Sequence, residues 1–395
     1  MNQTVLIISP VPSHPQNAGN RARVFKLISC LKALGYGVHF AHIQETLGDA
    51  DAMFRDWGAD YHPIPYQSPI TKSKARLSKR LDARILRRVK AFLGDDPRYN
   101  FQVDDWYDPG IDSYLAELAA KLQPDIVIAE YVFFSKGLDC FGPQTLKVID
   151  THDVFSNRYQ LYLKKNQPPR WFSTSEREEI KGLRRADVVF SIQDQEASFF
   201  ASRLQRQKVI AVGHFIDLVP PQPRAQTNKL LFVGSSNPIN VQGVKYFLDH
   251  VFNAIIEQLP GIQLILGGGV CEGVPAHRNC LKIGRIENLE AHYLNADLVI
   301  NPVLFGTGLK IKNIEALGFS KPLVTTSAGA AGLEDGIGQA FSVADTPQAF
   351  ASTIVRLLAN RMEYQTLAKN AFEFAQRWQE TQLKNLSLGL SGYPS

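Results

Sequence analysis

Short apolar runs recur along this chain, and each is followed by glycine or polar residues. In the N-terminal half they lie at residues 5–8, 38–43, 124–129, 145–150, 186–191 and 209–212. A helical pattern follows the first run, with Asn20 as the expected N-cap and apolar residues every three or four positions over 24–34. Strands that alternate with helices predict a parallel sheet covered by helices, with ligands beyond the carboxyl ends of the strands. This half is therefore predicted to be a doubly wound, Rossmann-like α/β domain.

Residues 219–227 interrupt the alternation with three prolines and several polar residues. Afterwards the pattern restarts, with apolar runs at 230–233, 263–266, 298–300 and 322–326. A chain of 395 residues is long enough for two hydrophobic cores. We therefore expect an N-terminal domain over 1–218, a hinge over 219–227 and a second Rossmann-like domain over 228–372.

Composition excludes several classes of protein. Hydrophobic residues make up 45% and charged residues 21%, which is typical of a soluble globular enzyme. No apolar run approaches the roughly 20 residues that span a bilayer, and the first run predicts a strand instead of a signal peptide. The four cysteines form no C-x-x-C pair and predict free thiols in a reducing cytoplasm, although Cys271 and Cys280 could bridge a loop. The net charge of +5 permits an acidic ligand without requiring nucleic acid.

Residues 306–332, GTGLKIKNIEALGFSKPLVTTSAGAAG, predict a phosphate site. A Gly-Thr-Gly turn lets backbone N–H groups approach an anion, and the helix N-terminus that follows adds partial positive charge. Lys310 and Lys312 can neutralise phosphate, and the acceptor-only oxygens of Glu315 suit a ribose diol. Together these features predict a nucleotide-diphosphate site. The alternative is an ordinary αβ unit punctuated by glycine and proline.

The same segment resembles the donor site of retaining family-4 glycosyltransferases (glycosyl transferases group 1) of the GT-B fold. In that family a small-residue loop precedes a K-x-x-E-A helix and a G-x-P-V strand, which residues 312–317 and 318–324 match with one extra residue before the proline. The resemblance implies two Rossmann-like domains facing each other across a cleft, with residues 373–395 crossing back to the first. The family's first glutamate is missing, because Thr307 stands eight residues before Glu315. The donor sugar and the role of Thr307 are therefore open.

The resemblance assigns the donor to the second domain. It places Glu315 on the ribose, and Lys312 and Lys245 on the diphosphate, although Lys245 is equally well explained as a solvated helix lysine. Backbone groups near Arg285 would read the nucleobase. The full donor-binding set is Glu315, Lys312, Lys310, Gly306, Thr307, Gly308, Leu309, Lys245, Gly234 and Arg285.

Three residues at strand ends of the first domain are candidate catalytic residues. Residues 150–153, D-T-H-D, resemble the family's D-x-H-D segment beside the reacting sugar. His152 is thereby expected to contact the sugar or the leaving group. Asp153 or Glu130 is expected to orient or deprotonate the acceptor hydroxyl. The alternative is that His152 only hydrogen-bonds within its loop.

Two further segments are predicted to bind anions. A small-residue loop with two arginines is expected to contact donor phosphates or acceptor, unless it is only a helix start with surface arginines; its members are Gly19, Asn20, Arg21 and Arg23. Residues 72–90 hold nine Lys or Arg with apolar residues at helical spacing, which predicts either an anionic-membrane helix or a plain surface helix. Nucleic-acid binding is not expected, because no aromatic stacking set accompanies these charges. The D-x-D of Asp49 and Asp51 is interpreted as coincidence.

The sequence thus predicts a glycosyltransferase that moves a sugar from a nucleotide-diphosphate donor to an acceptor hydroxyl with retention, in bacterial polysaccharide, glycolipid or glycoconjugate synthesis. The acceptor is expected to be a saccharide, lipid-linked or protein. No metal or other cofactor is expected, because N–H groups and cations stabilise the departing diphosphate. The protein is expected in the cytoplasm, either free or peripherally bound to the inner face of the membrane through residues 72–90. The alternatives are a nucleotide-sugar 2-epimerase of the same fold and a non-catalytic GT-B binding subunit.

Overall fold

The computed structural model describes residues 3–69, 96, 98–164, 168–169, 171–223, 227–286, 289–306 and 308–391. They belong to two compact units. The first unit comprises Met1–Pro15, Leu27–Gly213 and Asn385–Ser395, and the second comprises Gln16–Lys26 and His214–Lys384. The change of unit at 213–214 lies five residues before the predicted domain end, and the loop at 16–26 groups with the second unit. Residues 72–90 lie outside the described residues.

The first unit is built on a parallel sheet of seven strands in the order β3-β2-β1-β4-β5-β6-β7. Its strands are β1 Thr4–Ser9, β2 Gly37–Ile43, β3 Tyr61–Ile64, β4 Ile126–Glu130, β5 Leu146–Asp150, β6 Val188–Ser191 and β7 Lys208–Ala211. The strand order reverses between β1 and β4, the kind of switch point where α/β sheets bind ligands. The central strands are mostly apolar, as expected for strands of a parallel sheet with both faces buried, and their polar residues lie mainly at the strand ends.

Helices connect these strands, as the alternation predicted. They are α1 Gly19–Ala33, α2 Ala50–Trp57, α3 Ile111–Leu122, α4 Tyr159–Leu163, α5 Glu176–Leu183 and α6 Asp194–Ala201, with a 3-10 segment at Val132–Cys140. Helix α1 begins at Gly19, so Asn20 lies inside the helix and does not cap it. Asp49 caps α2 by accepting a hydrogen bond from the Ala52 N–H, which gives the D-x-D motif a structural role.

The second unit holds a parallel sheet of six strands in the order β10-β9-β8-β11-β12-β13. Its strands are β8 Lys229–Val233, β9 Gln263–Gly267, β10 Cys280–Gly284, β11 Leu298–Asn301, β12 Leu323–Thr325 and β13 Ser342–Val343. Its helices are α7 Pro238–Phe247, α8 Asn253–Gln258, α9 Val270–Gly273, α10 Leu289–Asn295, α11 Ile311–Gly318, α12 Pro347–Ala359 and α13 Arg361–Leu390, of which residues 385–390 belong to the first unit. A π-helical turn at Leu248–Phe252 joins α7 to α8. The strand order reverses between β8 and β11.

Each unit has its own hydrophobic core, as expected for two domains. All four cysteines are free, in agreement with the prediction. Within the described ranges, none of the helices has the length and apolar character needed to cross a membrane.

The start of the predicted hinge is tied to helix α11 inside the second unit. The Val219 N–H donates to the Gly318 carbonyl at 2.8 Å, and the Ser320 hydroxyl donates to the Val219 carbonyl. A Cβ atom on Gly318 would clash with the carbonyl oxygen of Asp217. Only glycine therefore lets α11 approach residues 217–219 this closely.

Candidate functional site

A buried amide network fixes the position of helix α11. The Asn313 side chain lies in the first turns of α11 and donates to the Gly329 carbonyl at 2.8 Å. It also accepts a hydrogen bond of 2.9 Å from the Asn301 amide at the end of β11. The Thr325 hydroxyl at the end of β12 donates to the Asn301 carbonyl at 2.9 Å. The helix that carries the predicted donor-binding residues is thus held at the carboxyl ends of two central strands.

The loop before α11 has the backbone that the Gly-Thr-Gly turn predicted. Gly306 has φ of +123° and Gly308 has φ of +75°, a region that favours glycine. The Lys310 ammonium donates to the Gly308 carbonyl at 2.7 Å, so the lysine lies along this loop. Leu309 is buried, which leaves only its backbone for a ligand. Thr307 lies outside the described residues.

Lys312 is a cation without a carboxylate at hydrogen-bond distance in the described part of the chain. Its ammonium donates to the Asn240 side-chain oxygen at 2.7 Å and lies 4.1 Å from the centre of the Phe232 ring. Burial lowers the pKa of Lys312 to about 7; the charge of Lys310 also lowers it, and Glu315 opposes the shift. An anion beside Lys312 would stabilise its charged form.

Glu315 is held through both of its carboxylate oxygens. Oε1 lies 3.4 Å from Nε2 of the fully buried His214, and Oε2 accepts a hydrogen bond of 3.4 Å from the Tyr293 hydroxyl. Burial lowers the pKa of His214 and raises the pKa of Tyr293, so His214 is mostly neutral and Tyr293 protonated at pH 7. The Glu315 side chain stays 13% exposed. A carboxylate has about four acceptor positions, so capacity remains for a ligand.

Part of the predicted N-terminal loop lies beside this group, within the second unit. A Cβ atom on Gly19 would lie 3.3 Å from the Ile311 side chain at the start of α11, so a small residue permits this approach. Arg23 is buried, and its positive charge is one of the causes that lower the pKa of His214. Arg21 is half-buried, and Asn20 accepts a hydrogen bond from the Arg21 N–H. Arg23 is therefore not a surface arginine, in contrast to the alternative interpretation.

The remaining predicted donor residues are placed differently. Gly234 lies next to Asn240, the partner of Lys312. Lys245 is exposed on α7 five residues after Asn240, which is about 140° around the helix. Arg285 follows the edge strand β10, and two strands separate β10 from β11, a distance of about 14 Å. Gly234 thus joins the group. The roles of Lys245 on the diphosphate and of the backbone near Arg285 on the nucleobase stay predictions.

In the first unit, His152 is held at the carboxyl ends of two adjacent strands. Glu130 and Asp150 end β4 and β5 and pair in register. Nε2 of His152 is hydrogen-bonded to the Glu130 carboxylate and lies 3.8 Å from an Asp150 oxygen. The imidazole stacks on Tyr131 with ring centres 4.1 Å apart. Tyr131 and His152 both have positive φ, of 69° and 61°, a strained backbone typical of functional sites.

Glu130 and Asp153 are engaged within the protein. We expected Glu130 to face the acceptor hydroxyl. Its side chain is instead fully buried, and its carboxylate holds His152. Asp153 forms an ion pair with Arg158 and accepts a hydrogen bond of 2.9 Å from the Val154 N–H. The His152 ring stacks on the buried Tyr131, and the ring of Trp171, which is 45% exposed, lies 5.5 Å from the Tyr131 ring.

One group of metal-ligand type occurs among the described residues. Single ligand atoms of Glu130, Asp150 and His152 lie within 4.8 Å of one another. The direct hydrogen bond between His152 and Glu130 already uses the nitrogen that would face an ion. We therefore interpret the group as a hydrogen-bonded cluster that orients His152.

Sequence reasoning missed His214, Asn313 and Trp171. His214 is a single histidine after β7, and no sequence spacing relates it to Glu315, 101 positions later. Asn313 lies inside the matched helix motif but reads as an ordinary polar helix residue. Trp171 follows a proline-rich stretch without periodicity. Only the fold brings these residues to the sites.

Comparison with protein families matches residues 227–360 to the glycosyl transferases group 1 model. The matched residues lie within the second unit. An uncharacterised 44.6 kDa protein in the cps region of Klebsiella pneumoniae is 30% identical to the chain over 160 residues. That match covers 37% of this chain and 41% of the relative.

Solved structures extend the similarity beyond residues 227–360 to nearly the whole chain. A TarM variant of S. aureus in complex with Fondaparinux, α-GlcNAc-glycerol and UDP has a TM-score of 0.68 at 10% identity and covers 99% of this chain and 100% of its own. The pneumococcal O-GlcNAc transferase GtfA with UDP and GlcNAc has a TM-score of 0.65 at 11% identity, covering 98% of each chain. HepE of Anabaena with UDP and glucose has a TM-score of 0.63 at 13% identity, covering 98% of this chain and 99% of its own. The chain has the GT-B fold, and these findings support a glycosyltransferase.

The amide network gives a stability prediction. Asn313→Ala leaves the Gly329 carbonyl and the Asn301 amide without their buried partner, so the free energy of unfolding should fall by about 1–3 kcal/mol. Asn253→Ala, at an exposed position of α8, should stay within about 0.5 kcal/mol of wild type. Urea titrations of the three proteins measure both effects. Equal losses in the two variants would show that Asn313 does not fix α11.

Proposed function

We propose that this protein is a glycosyltransferase that transfers a sugar from a nucleotide-diphosphate donor to an acceptor hydroxyl with retention. The observation that carries the proposal is the placement of Glu315. Glu315 lies on the helix that follows the glycine loop, and its carboxylate is oriented by His214 and Tyr293. Retention is supported by the resemblance of residues 312–324 to the retaining family.

The second unit is proposed to bind the donor. Backbone N–H groups of the loop around Gly306 and Gly308, with Lys310 and Lys312, would stabilise the diphosphate and its charge as the sugar departs. Glu315 would accept hydrogen bonds from the ribose hydroxyls. UDP is the first donor nucleotide to test, because TarM, GtfA and HepE all have structures with UDP.

The first unit is proposed to serve the acceptor. His152, oriented by Glu130 and stacked on Tyr131, has an imidazole suited to contact the reacting sugar or to take the acceptor proton. The exposed Trp171 offers an apolar face on which a sugar ring could stack. We propose a saccharide acceptor in bacterial polysaccharide, glycolipid or glycoconjugate synthesis, which the relative from a cps region supports. Cytoplasmic action at the membrane and metal independence stay predictions.

A thermal-shift screen of nucleotide diphosphates and their sugars tests the donor site. A ligand at one hundred times its dissociation constant should stabilise the protein by about 2.7 kcal/mol. We expect this shift with at least one ligand for wild type and for the control Glu257→Ala on the exposed face of α8, and its loss in Glu315→Ala. Flat responses for wild type across the panel would favour the non-catalytic alternative. A donor epimerised without any acceptor would favour the epimerase.

We expect the protein to take up a proton at Lys312 when the donor binds, because the pKa of this lysine is lowered in the free protein. With a pKa of about 7, Lys312 is mostly neutral at pH 8, and a diphosphate beside it should raise that pKa and protonate it. The dissociation constant for a nucleotide-sugar should therefore rise by up to about tenfold per pH unit above pH 7, because protonating Lys312 becomes more costly. Calorimetry at pH 8 in two buffers of different ionisation enthalpy measures the proton.

The control for this experiment is an exposed lysine of α13. Lys369→Met should retain the proton uptake, whereas Lys312→Met should lose it and bind with little pH dependence. If Lys312→Met takes up as many protons as wild type, Lys312 does not contact the diphosphate.

A further inference from the structure

A cavity of about 600 Å³ opens in the first unit, far from the residues discussed so far. It lies at the amino ends of β5, β6 and β7, and Lys147, Val188 and Lys208 of these strands line it. Glu130 and His152 lie at the opposite, carboxyl edge of the same sheet. The last part of α13 contributes Gly389 to the wall. The cavity is therefore distinct from the proposed acceptor site.

The lining is strongly basic. Its cationic side chains are Lys147, Arg184, Arg185, Arg206 and Lys208, and its single carboxylate is Asp187. That carboxylate accepts a hydrogen bond of 2.9 Å from the Lys147 main-chain N–H, so it is used to align β5 with the neighbouring segment. Among the described residues, no cationic side chain lies within ion-pair distance of Asp187.

Two of the five cations have partners in the protein. Arg185 makes two hydrogen bonds to Asp104, at 2.6 and 2.8 Å, and the Lys208 ammonium donates to the Leu388 carbonyl. In the described part of the chain, no carboxylate lies within ion-pair distance of Lys147, Arg184 or Arg206. The cavity lining thus holds three cationic side chains that form no ion pair with a described carboxylate.

We propose that this cavity binds a ligand that carries at least two phosphate groups. A concave wall of one charge sign concentrates its field and raises the local concentration of counter-ions. The arginine guanidinium matches phosphate oxygens with paired hydrogen bonds, and lysine adds a point charge. The volume is within the range of small-molecule sites. The ligand is either a soluble polyphosphorylated molecule or the headgroup of an anionic lipid.

Inorganic tripolyphosphate is the probe for the shared chemistry. Calorimetric titrations compare wild type with a cavity variant, Lys147→Gln/Arg184→Gln/Arg206→Gln, and with a charge-matched control, Arg278→Gln/Lys369→Gln/Arg377→Gln. Saturating UDP in every titration occupies the proposed donor site. We expect binding by wild type and control, at least tenfold weaker binding by the cavity variant, and weaker binding for all at higher salt.

The outcomes separate the proposal from ordinary surface charge. No binding by wild type, or the same affinity for both triple variants, would overturn it. Because the altered side chains lie on the surface of the cavity, the melting temperatures of both triple variants should match that of wild type. The single variant Arg206→Gln should bind tripolyphosphate with an affinity between those of wild type and the cavity variant. Vesicles of phosphatidylcholine with cardiolipin, whose headgroup carries two phosphate groups, distinguish the ligand source. Sedimentation of wild type and control, but not of the cavity variant, identifies a lipid headgroup, and no sedimentation identifies a soluble ligand.

Discussion

The attachment of helix α11 to the ends of β11 and β12 is the constraint on which the proposed chemistry depends. Asn313 makes this attachment through a buried amide network, and burial makes each of its hydrogen bonds costly to leave unmade. Once α11 is fixed, Lys312 meets Asn240 and Glu315 meets His214 and Tyr293. The binding groups are thus positioned before any ligand arrives, which lowers the entropy cost of binding.

The two units use buried charge in different ways. In the second unit the Lys312 ammonium has an amide and an aromatic face as neighbours, so its charge remains available and its pKa falls. In the first unit Glu130 is buried completely, and His152 is its hydrogen-bond partner. An incompletely compensated cation suits an anionic ligand, whereas a carboxylate paired with histidine suits the orientation of an acid or base.

Much of the fold was predictable because apolar runs of buried parallel strands are distinctive. The predicted runs correspond to strands β1, β2, β4 to β9, β11 and β12. The missed strands lack that signal: β3 contains Pro63, β10 is partly exposed at an edge, and β13 has two residues. Asn20 was expected to cap α1 but lies inside the helix, which starts at Gly19, two residues before the expected first helical residue Arg21.

The candidate site was predictable where a local motif encodes it and not where tertiary contacts do. The glycine loop, Lys312 and Glu315 follow each other in sequence, so their order could be recognised. His214 reaches Glu315 only through the course of the chain after β7, and the burial of Glu130 depends on the packing of the whole sheet. Exposure of Lys245 likewise depends on the orientation of α7, which the sequence pattern does not determine.

The central claim is that Glu315 binds the ribose of the donor. The most direct measurement compares the dissociation constants of a nucleoside diphosphate and its 2′,3′-dideoxy analogue, for wild type and for Glu315→Ala. Hydrogen bonds to a charged group contribute about 1.5–3 kcal/mol, so removal of the diol should weaken wild-type binding roughly 10- to 100-fold. The ratio should approach one in Glu315→Ala. An equal ratio in both proteins would contradict the account.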